Sequence, residues 1–264
     1  MATAAPNQSL PLFYSALEAL NVTQHGTKKV RPIEKATVIS STHAIPATVD
    51  EFALLQRHYP IVFSVGDQPV PLVLMGLSEG INVYLNEDAK LYDSTIYVPA
   101  YMRRYPFLLA RLRPDSDDLS LCFDPNSGAV GDFEDGEPLF DGDQPSQATK
   151  AILDFCEQFE SAGQRTNAFM EEIKKSGLLM DGEVAIQPEG AEKPFVYRGF
   201  QMIDEEKLRE LRGDELRKLN QNGALALIYA HLFSLSQIRE VFSRQVMLGK
   251  GPVAAPPQPA TVEA

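Results

Sequence analysis

Cysteine and histidine are scarce in this chain, and basic side chains are missing from one long interval. The 264 residues hold 2 Cys, Cys122 and Cys156, each among apolar neighbours. A disulfide framework is excluded, and buried thiols of a reducing compartment are the reading that remains. The 4 His (His25, His43, His58 and His231) are scattered, with no HxH or HExxH spacing and no CxxC, so no metal ligand set can be read from local spacing. G-x-S-x-G, G-x-x-x-x-G-K-[ST] and G-x-G-x-x-G are missing too, which removes three common nucleophile or cofactor designs and leaves no cofactor to expect. No stretch approaches the roughly 18 apolar residues of a spanning helix. The densest run, VPLVLMG at 70–76, suits a buried strand. The N-terminus has no basic region ahead of a hydrophobic run, so it does not read as a secretory signal, and a cytoplasmic location is expected.

Between Pro114 and Thr149 there is no Lys or Arg, while Asp115, Asp117, Asp118, Asp124, Asp132, Glu134, Asp135, Glu137, Asp141 and Asp143 are all acidic. With those ten set aside, the formal net charge of -12 falls to -2. The acidity is therefore one local feature on a nearly balanced body. Phosphate neutralisation needs clustered cations, and none are present, so nucleic-acid binding is not expected. A calcium loop needs donors at fixed alternate positions. Asp124, Asn126 and Gly128 lose that pattern at the third step, which leaves a solvated surface loop.

Residues 1–29 read as an irregular N-terminal arm with one turn of helix around 12–20. β-favouring runs follow at 37–40, 61–65, 70–75 and 81–86, separated by Gly66-Asp67 and Ser78-Glu79-Gly80, as in an antiparallel meander. In the last run Ile81, Val83 and Leu85 alternate with Asn82, Tyr84 and Asn86, the pattern of a half-buried strand. A short helix is expected at 49–58, and a short turn or helix at 100–104, where Pro99 and Pro106 forbid a continuous central strand. Strands are expected at 107–112 and 119–123. After the acidic interval, Ala148, Ile152, Phe155, Phe159, Thr166, Phe169 and Ile173 trace one helical face to about Lys175. A hairpin at 183–200 turns around Pro188-Glu189-Gly190. Short helices capped by Asp204 and Asp214 lead to one long helix at 224–247 with the stripe Ile228, Leu232, Leu235, Phe242 and Val246. Residues 249–264 are Pro- and Ala-rich and read as a disordered tail. The pattern predicts an α+β fold, with an antiparallel β-rich N-terminal half, two long helical segments and a small hairpin packed on it. Residues 30–248 form a single domain carrying an acidic loop at 114–146.

The candidate site is the aromatic and basic interval. Tyr97, Tyr101, Arg103, Arg104, Tyr105 and Phe107 place rigid amphipathic rings beside guanidiniums, a mixture suited to a carboxylate, a peptide or a partner surface. The plainer alternative is that the tyrosines pack and the arginines pair with carboxylates of the acidic interval. Arg239 fills the one gap of the helical stripe, either snorkelling outwards or meeting a buried anion. His231 flanks the same stripe. It is either a histidine bonded to a neighbouring element or a general base whose partner is not identified.

YVPAYMRRYPF at 97–107, LCFD at 121–124, RGFQMIDEEKLREL at 198–211 and GALALIYAHLFSL at 223–235 together resemble the SapC family of soluble bacterial proteins over roughly residues 30–247. This family is distinct from the like-named peptide-transport permease. The resemblance implies a cytoplasmic accessory protein working beside an enzyme of the flavin-dependent halogenase-like or cupin/JmjC-like type, since relatives are encoded near such proteins, and it carries no catalytic residue over. Three readings stand. The first is a non-catalytic protein that binds a protein or peptide partner through the Tyr/Arg interval. The second is an enzyme acting on a peptide or amino-acid-like substrate through dispersed polar residues. The third is a self-associating structural protein, a homodimer through the helix at 147–175 or the one at 224–247.

Overall fold

A computed structural model describes residues 10–33, 37–86, 90–112, 118–187 and 194–251. In chain order, β1 (Glu18–Ala19), α1 (Val22–His25) and β2 (Lys29–Val30) lead through α2 (Thr37–Ser40) to β3 (Ala44–Pro46). A 3-10 turn at Val49–Glu51 and α3 (Phe52–Leu55) precede β4 (Ile61–Phe63) and β5 (Pro71–Leu74). The Tyr/Arg interval forms α4 (Ala100–Arg104) and β6 (Phe107–Arg111), followed by β7 (Leu119–Phe123). Four two-residue strands, β8 (Val130–Gly131), β9 (Glu137–Pro138), β10 (Phe140–Asp141) and β11 (Gln144–Pro145), lie in the acidic interval. Then come α5 (Gln147–Lys175), the hairpin β12 (Leu179–Ile186) and β13 (Phe195–Ile203), and the helices α6 (Glu205–Glu210), α7 (Gly213–Gln221), α8 (Ala224–Ser234) and α9 (Gln237–Met247).

The fold is α+β with antiparallel sheets, as the sequence pattern predicts. The largest sheet runs β12-β13-β4-β5-β3 and pairs antiparallel throughout. The C-terminal hairpin thus extends the N-terminal sheet at its edge, where the sequence suggested an element packed on top. Strand β4 is buried at all three positions and β5 at three of its four, so the middle of this sheet is covered on both faces. One face takes α8, through Ile228 and Ala230, and the C-terminal part of α5 contributes Phe169, Met170 and Ile173 to the same core. A smaller sheet, β1-β7-β6, packs with Leu139 and Cys156 in a second cluster under the first half of α5.

Several local expectations fail. In place of the helical turn expected around 12–20 there is a tight turn at 12–13 followed by β1. Residues 37–40 are helical because Asn82 reaches over and donates its side-chain amide to the carbonyls of Ile39 and Thr42, which rewards a coiled backbone over an extended one. The same Asn82 is buried beside Val83 and Tyr84, and its Oδ1 accepts the Tyr84 N–H, so the alternation at 81–86 is a turn and not a strand. The long helix at 224–247 is broken at Leu235 and Ser236. Ser234 and Ser236 donate their hydroxyls back to the carbonyls of His231 and Phe233, and three-residue backbone bonds close the joint. Helix α5, by contrast, runs from the Ser146 cap to Lys175 without interruption. The expected tail from 252 onward, the hairpin tip at 188–190, and Asp115 and Asp117 lie outside the described residues.

Candidate functional site

Helix α4 is short because proline frames it. Pro99 holds an extended backbone ahead of it, and Tyr105 is extended ahead of Pro106, as the residue before a proline prefers. Pro99 brings no capping side chain, so the first turn is satisfied from elsewhere. Buried Glu51 sends Oε1 to the Ala100 N–H at 2.6 Å and to the Tyr97 hydroxyl at 2.9 Å. Thr48 donates to its other oxygen at 3.1 Å. A carboxylate at this end also meets the positive end of the helix dipole.

One face of α4 looks outwards. The Arg103 guanidinium lies between two rings, 5.3 Å from the Tyr97 centroid and 5.0 Å from Phe155 of α5. Its Nε donates to the Val98 carbonyl at 3.0 Å and its Nη2 to the Tyr97 hydroxyl at 2.8 Å, and Glu51 stands 3.9 Å away. The side chain is nevertheless 43% exposed. A guanidinium carries five N–H donors, and two are used here within the described residues. The planar group is therefore held in a fixed orientation, and its other N–H donors make no hydrogen bond among the described residues. Burial, with the Glu51 charge beside it, pushes the Tyr97 hydroxyl above its ordinary range, so it remains a neutral donor at physiological pH.

The other face looks inwards. Arg104 is 7% exposed and lies against Phe159 at 4.2 Å, Tyr101 at 5.0 Å and Tyr14 at 6.0 Å. Glu160 supplies one carboxylate oxygen at 3.4 Å, and Nε is buried with no partner among the described residues. Against this face lies the chain's own N-terminal segment. The Tyr101 hydroxyl donates to the Leu12 carbonyl at 3.1 Å, and the Tyr14 hydroxyl donates to the Phe107 carbonyl at 2.7 Å. Phe13 sets its ring edge-on to Tyr101 at 5.4 Å and to Tyr105 at 6.0 Å. Buried Asp124 accepts the Ser15 N–H at 2.7 Å and the Ser15 hydroxyl at 3.1 Å. Burial first, and the neighbouring Asp124 carboxylate second, push the Tyr105 hydroxyl up to about 12. Phe107 is buried in the second core cluster.

Of the eight residues singled out in the sequence, six form this α4 neighbourhood and two lie elsewhere. His231 does not join them. Its Nδ1 donates to the Ile61 carbonyl at 2.7 Å and its Nε2 accepts the Ile203 N–H at 3.1 Å. Strands β13 and β4 pair at Gln201 and Phe63, and two residues along the same register Ile61 would face Ile203. The imidazole sits in the ladder at that point, replacing a strand-to-strand bond. Ser234 completes the plug by accepting the Ile61 N–H at 2.9 Å. Full burial pulls the ring down to about 4, so it is neutral, as a group with one donor and one acceptor must be here. Arg239 lies on the exposed side of α9, so it organises no buried anion pocket.

Sequence reasoning missed Glu51, Asp124 in this role and residues 12–15, because each acts across a long stretch of chain and leaves no local periodicity. Among the described residues no group of three or more His, Cys, Asp or Glu could hold a metal, and no helix is long and apolar enough to cross a membrane. A small open cleft of about 190 Å³, lined by Gly66, Lys174, Leu179 and Gln201 among others, lies at the edge of the large sheet and includes none of these residues. Neither a curated protein nor a solved structure matches the chain. The SapC family model matches residues 20–241, most of the length, and the chain belongs to the SapC family.

Proposed function

We infer that this protein is a non-catalytic binding or accessory protein whose contact point for a protein or peptide partner is the outward face of α4, centred on Arg103. The observation that carries this reading is the Arg103 stack: a guanidinium pinned by Val98 and Tyr97, flanked by Tyr97 and Phe155, with donors facing solvent. Arginine and aromatic anchors of this kind dominate the energetics of interfaces, and prior rigidity lowers the ordering cost of binding. A carboxylate or a pair of main-chain carbonyls on the partner matches the free N–H groups. The acidic interval, exposed at Glu134, Asp135, Glu137 and Asp141, adds a field that steers a basic partner and fades with salt. The partner class implied by the family resemblance, an enzyme of the flavin-dependent halogenase-like or cupin/JmjC-like type, is compatible with such a surface.

Native mass spectrometry of the full chain purified gently from its own cells tests this reading. A co-purifying protein that cross-links through a photoreactive residue at position 155, and is lost in Arg103→Ala, is the expected result. Retention of the partner by Arg103→Ala would move the contact elsewhere, and a small bound metabolite in place of a protein would favour the enzyme.

Self-association is favoured by a separate observation. On α8, Phe233 is 66% exposed and stacks on Tyr229, itself 43% exposed, at 5.8 Å between centroids. Concentration-dependent mass in light scattering, abolished by Phe233→Asp, is what that reading requires.

A further inference from the structure

The N-terminal segment is held as a bound peptide is held. Two of its fixed polar contacts address the main chain: Tyr101 donates to the Leu12 carbonyl, and Asp124 accepts the Ser15 N–H. Two rings, Phe13 and Tyr14, fill the space between Tyr101, Tyr105 and Arg104. The hydroxyl of Ser15 closes the register on Asp124 and accepts from Asn126 at 3.0 Å. The receiving residues, Tyr101, Arg104, Tyr105, Asp124 and Phe159, all lie inside the stretch matched by the family model, which begins at residue 20. The occupant lies before it.

The fit of this occupant is strained. The Tyr14 N–H closes a turn onto the Pro11 carbonyl, and Phe13, at its third position, has φ of 83°, a conformation in which glycine or asparagine is normally found. The chain makes this turn because it enters β1 at Glu18, paired with Phe123, only a few residues later. A segment arriving on another molecule is free of that tether. Leu12 and Ser15 are exposed at the two ends of the segment, while Phe13 and Tyr14 between them are buried.

We propose that the inward face of α4, with Asp124 and Phe159, is a peptide-binding site for a partner segment with two consecutive aromatic residues followed by serine or threonine, and that residues 12–15 occupy it as a tethered, displaceable copy. The tether gives the internal segment a millimolar-scale effective concentration, so a free peptide competes poorly until that segment is released. This site is distinct from the Arg103 stack on the opposite face and stands or falls independently of it.

The test uses the full chain carrying Phe13→Ala/Tyr14→Ala and a fluorescein-labelled peptide PLFYSA, followed by anisotropy. The released variant should bind the peptide at least about 10-fold more tightly than the unaltered chain. Adding Asp124→Ala should weaken that binding about 10-fold, because the Ser15 main-chain contact is lost. A variant that still melts cooperatively and shows no binding at millimolar peptide overturns the proposal. Hydrogen exchange on the unaltered chain covers the case in which the variant does not fold. The Tyr14 and Ser15 amides should exchange about 100-fold faster than those of Cys122 and Phe123, whereas equal protection would make the segment an integral part of the core and overturn the proposal. A dimer of the unaltered chain that dissociates in Phe13→Ala/Tyr14→Ala would also overturn it, in favour of arm exchange between two copies.

Discussion

Arg103 and Arg104 are adjacent, share one helix and carry the same chemistry, yet they do opposite things. A step of about 100° around the helix turns one guanidinium to solvent between Tyr97 and Phe155 and the other into a box of Tyr14, Tyr101 and Phe159. Arg104 has one long ion pair and a buried Nε without a partner, so its place is maintained by packing and cation–π contact more than by hydrogen bonding. The lesson is that an Arg-Arg pair in a short helix cannot be read as one basic patch. Arg104→Ala should break the comparison most strongly. Removing a buried side chain that touches three rings, with Glu160 able to rehydrate because it is half-exposed, should cost about 3 kcal/mol. Urea unfolding would read this as a lower midpoint at unchanged slope. A loss below about 0.5 kcal/mol would mean that Arg104 is as expendable as a surface arginine.

His231 is the third base of the comparison and solves burial by giving up its charge. The folded ring sits at about 4 against an ordinary 6.5, so the unfolded chain binds the proton first as pH falls. The stabilisation is complete above pH 6.5, declines through the window between 6.5 and 4, and is gone below it. By pH 5 the loss should be about 2 kcal/mol relative to pH 7, since each unit of difference corresponds to about 1.4 kcal/mol. His231→Gln, less stable at neutral pH, should lack this part of the slope. Parallel stability curves for the two chains between pH 7 and 5 would show that the imidazole does not sit neutral in the ladder.

What was legible in the sequence was what is written locally. Pro99 and Pro106 frame α4, short apolar runs mark β6 and β7, and the apolar stripe from Ala148 to Ile173 gives nearly the whole of α5. Most of what was not legible depends on groups that meet across the chain: Asn82 turns 37–40 into helix, and His231 stands in for a strand. The break in the last helix is local, made by Ser234 and Ser236 bonding back three residues within an otherwise helical apolar stripe. The six residues at 97–107 were found together because they are contiguous. Their division into an outward anchor and an inward clasp was not, because Glu51, Phe155 and residues 12–15 come from three other segments.

Glu51 joins the two faces, since it caps the helix that carries both arginines. Glu51→Gln keeps one carbonyl oxygen for Ala100 and Tyr97 and puts an amide where Thr48 donates at present. The loss should be about 1 kcal/mol, the cost of one mismatched buried contact. It should also loosen the Tyr97 hydroxyl that positions Arg103, so partner affinity should fall together with stability. Thermal melts and binding measured on the same preparation check whether the two move together.

The smallest expected change in stability is the most informative one for function. Arg103→Ala removes a half-exposed side chain whose stacking partners keep their other contacts: Tyr97 its bond to Glu51, and Phe155 its place on α5. Its attraction to Glu51 spans 3.9 Å near solvent and is worth little. The melting midpoint should stay within the equivalent of about 0.5 kcal/mol. Partner binding should fall at least about 10-fold, because the lost group presents its unused donors outwards and was already ordered before contact. Arg103→Lys should recover little, since an ammonium reproduces neither the flat stack between two rings nor the forked donor. If Arg103→Ala instead destabilises the fold as much as Arg104→Ala, the two faces of the helix are equivalent, and the outward guanidinium belongs to the packing and not to an interface.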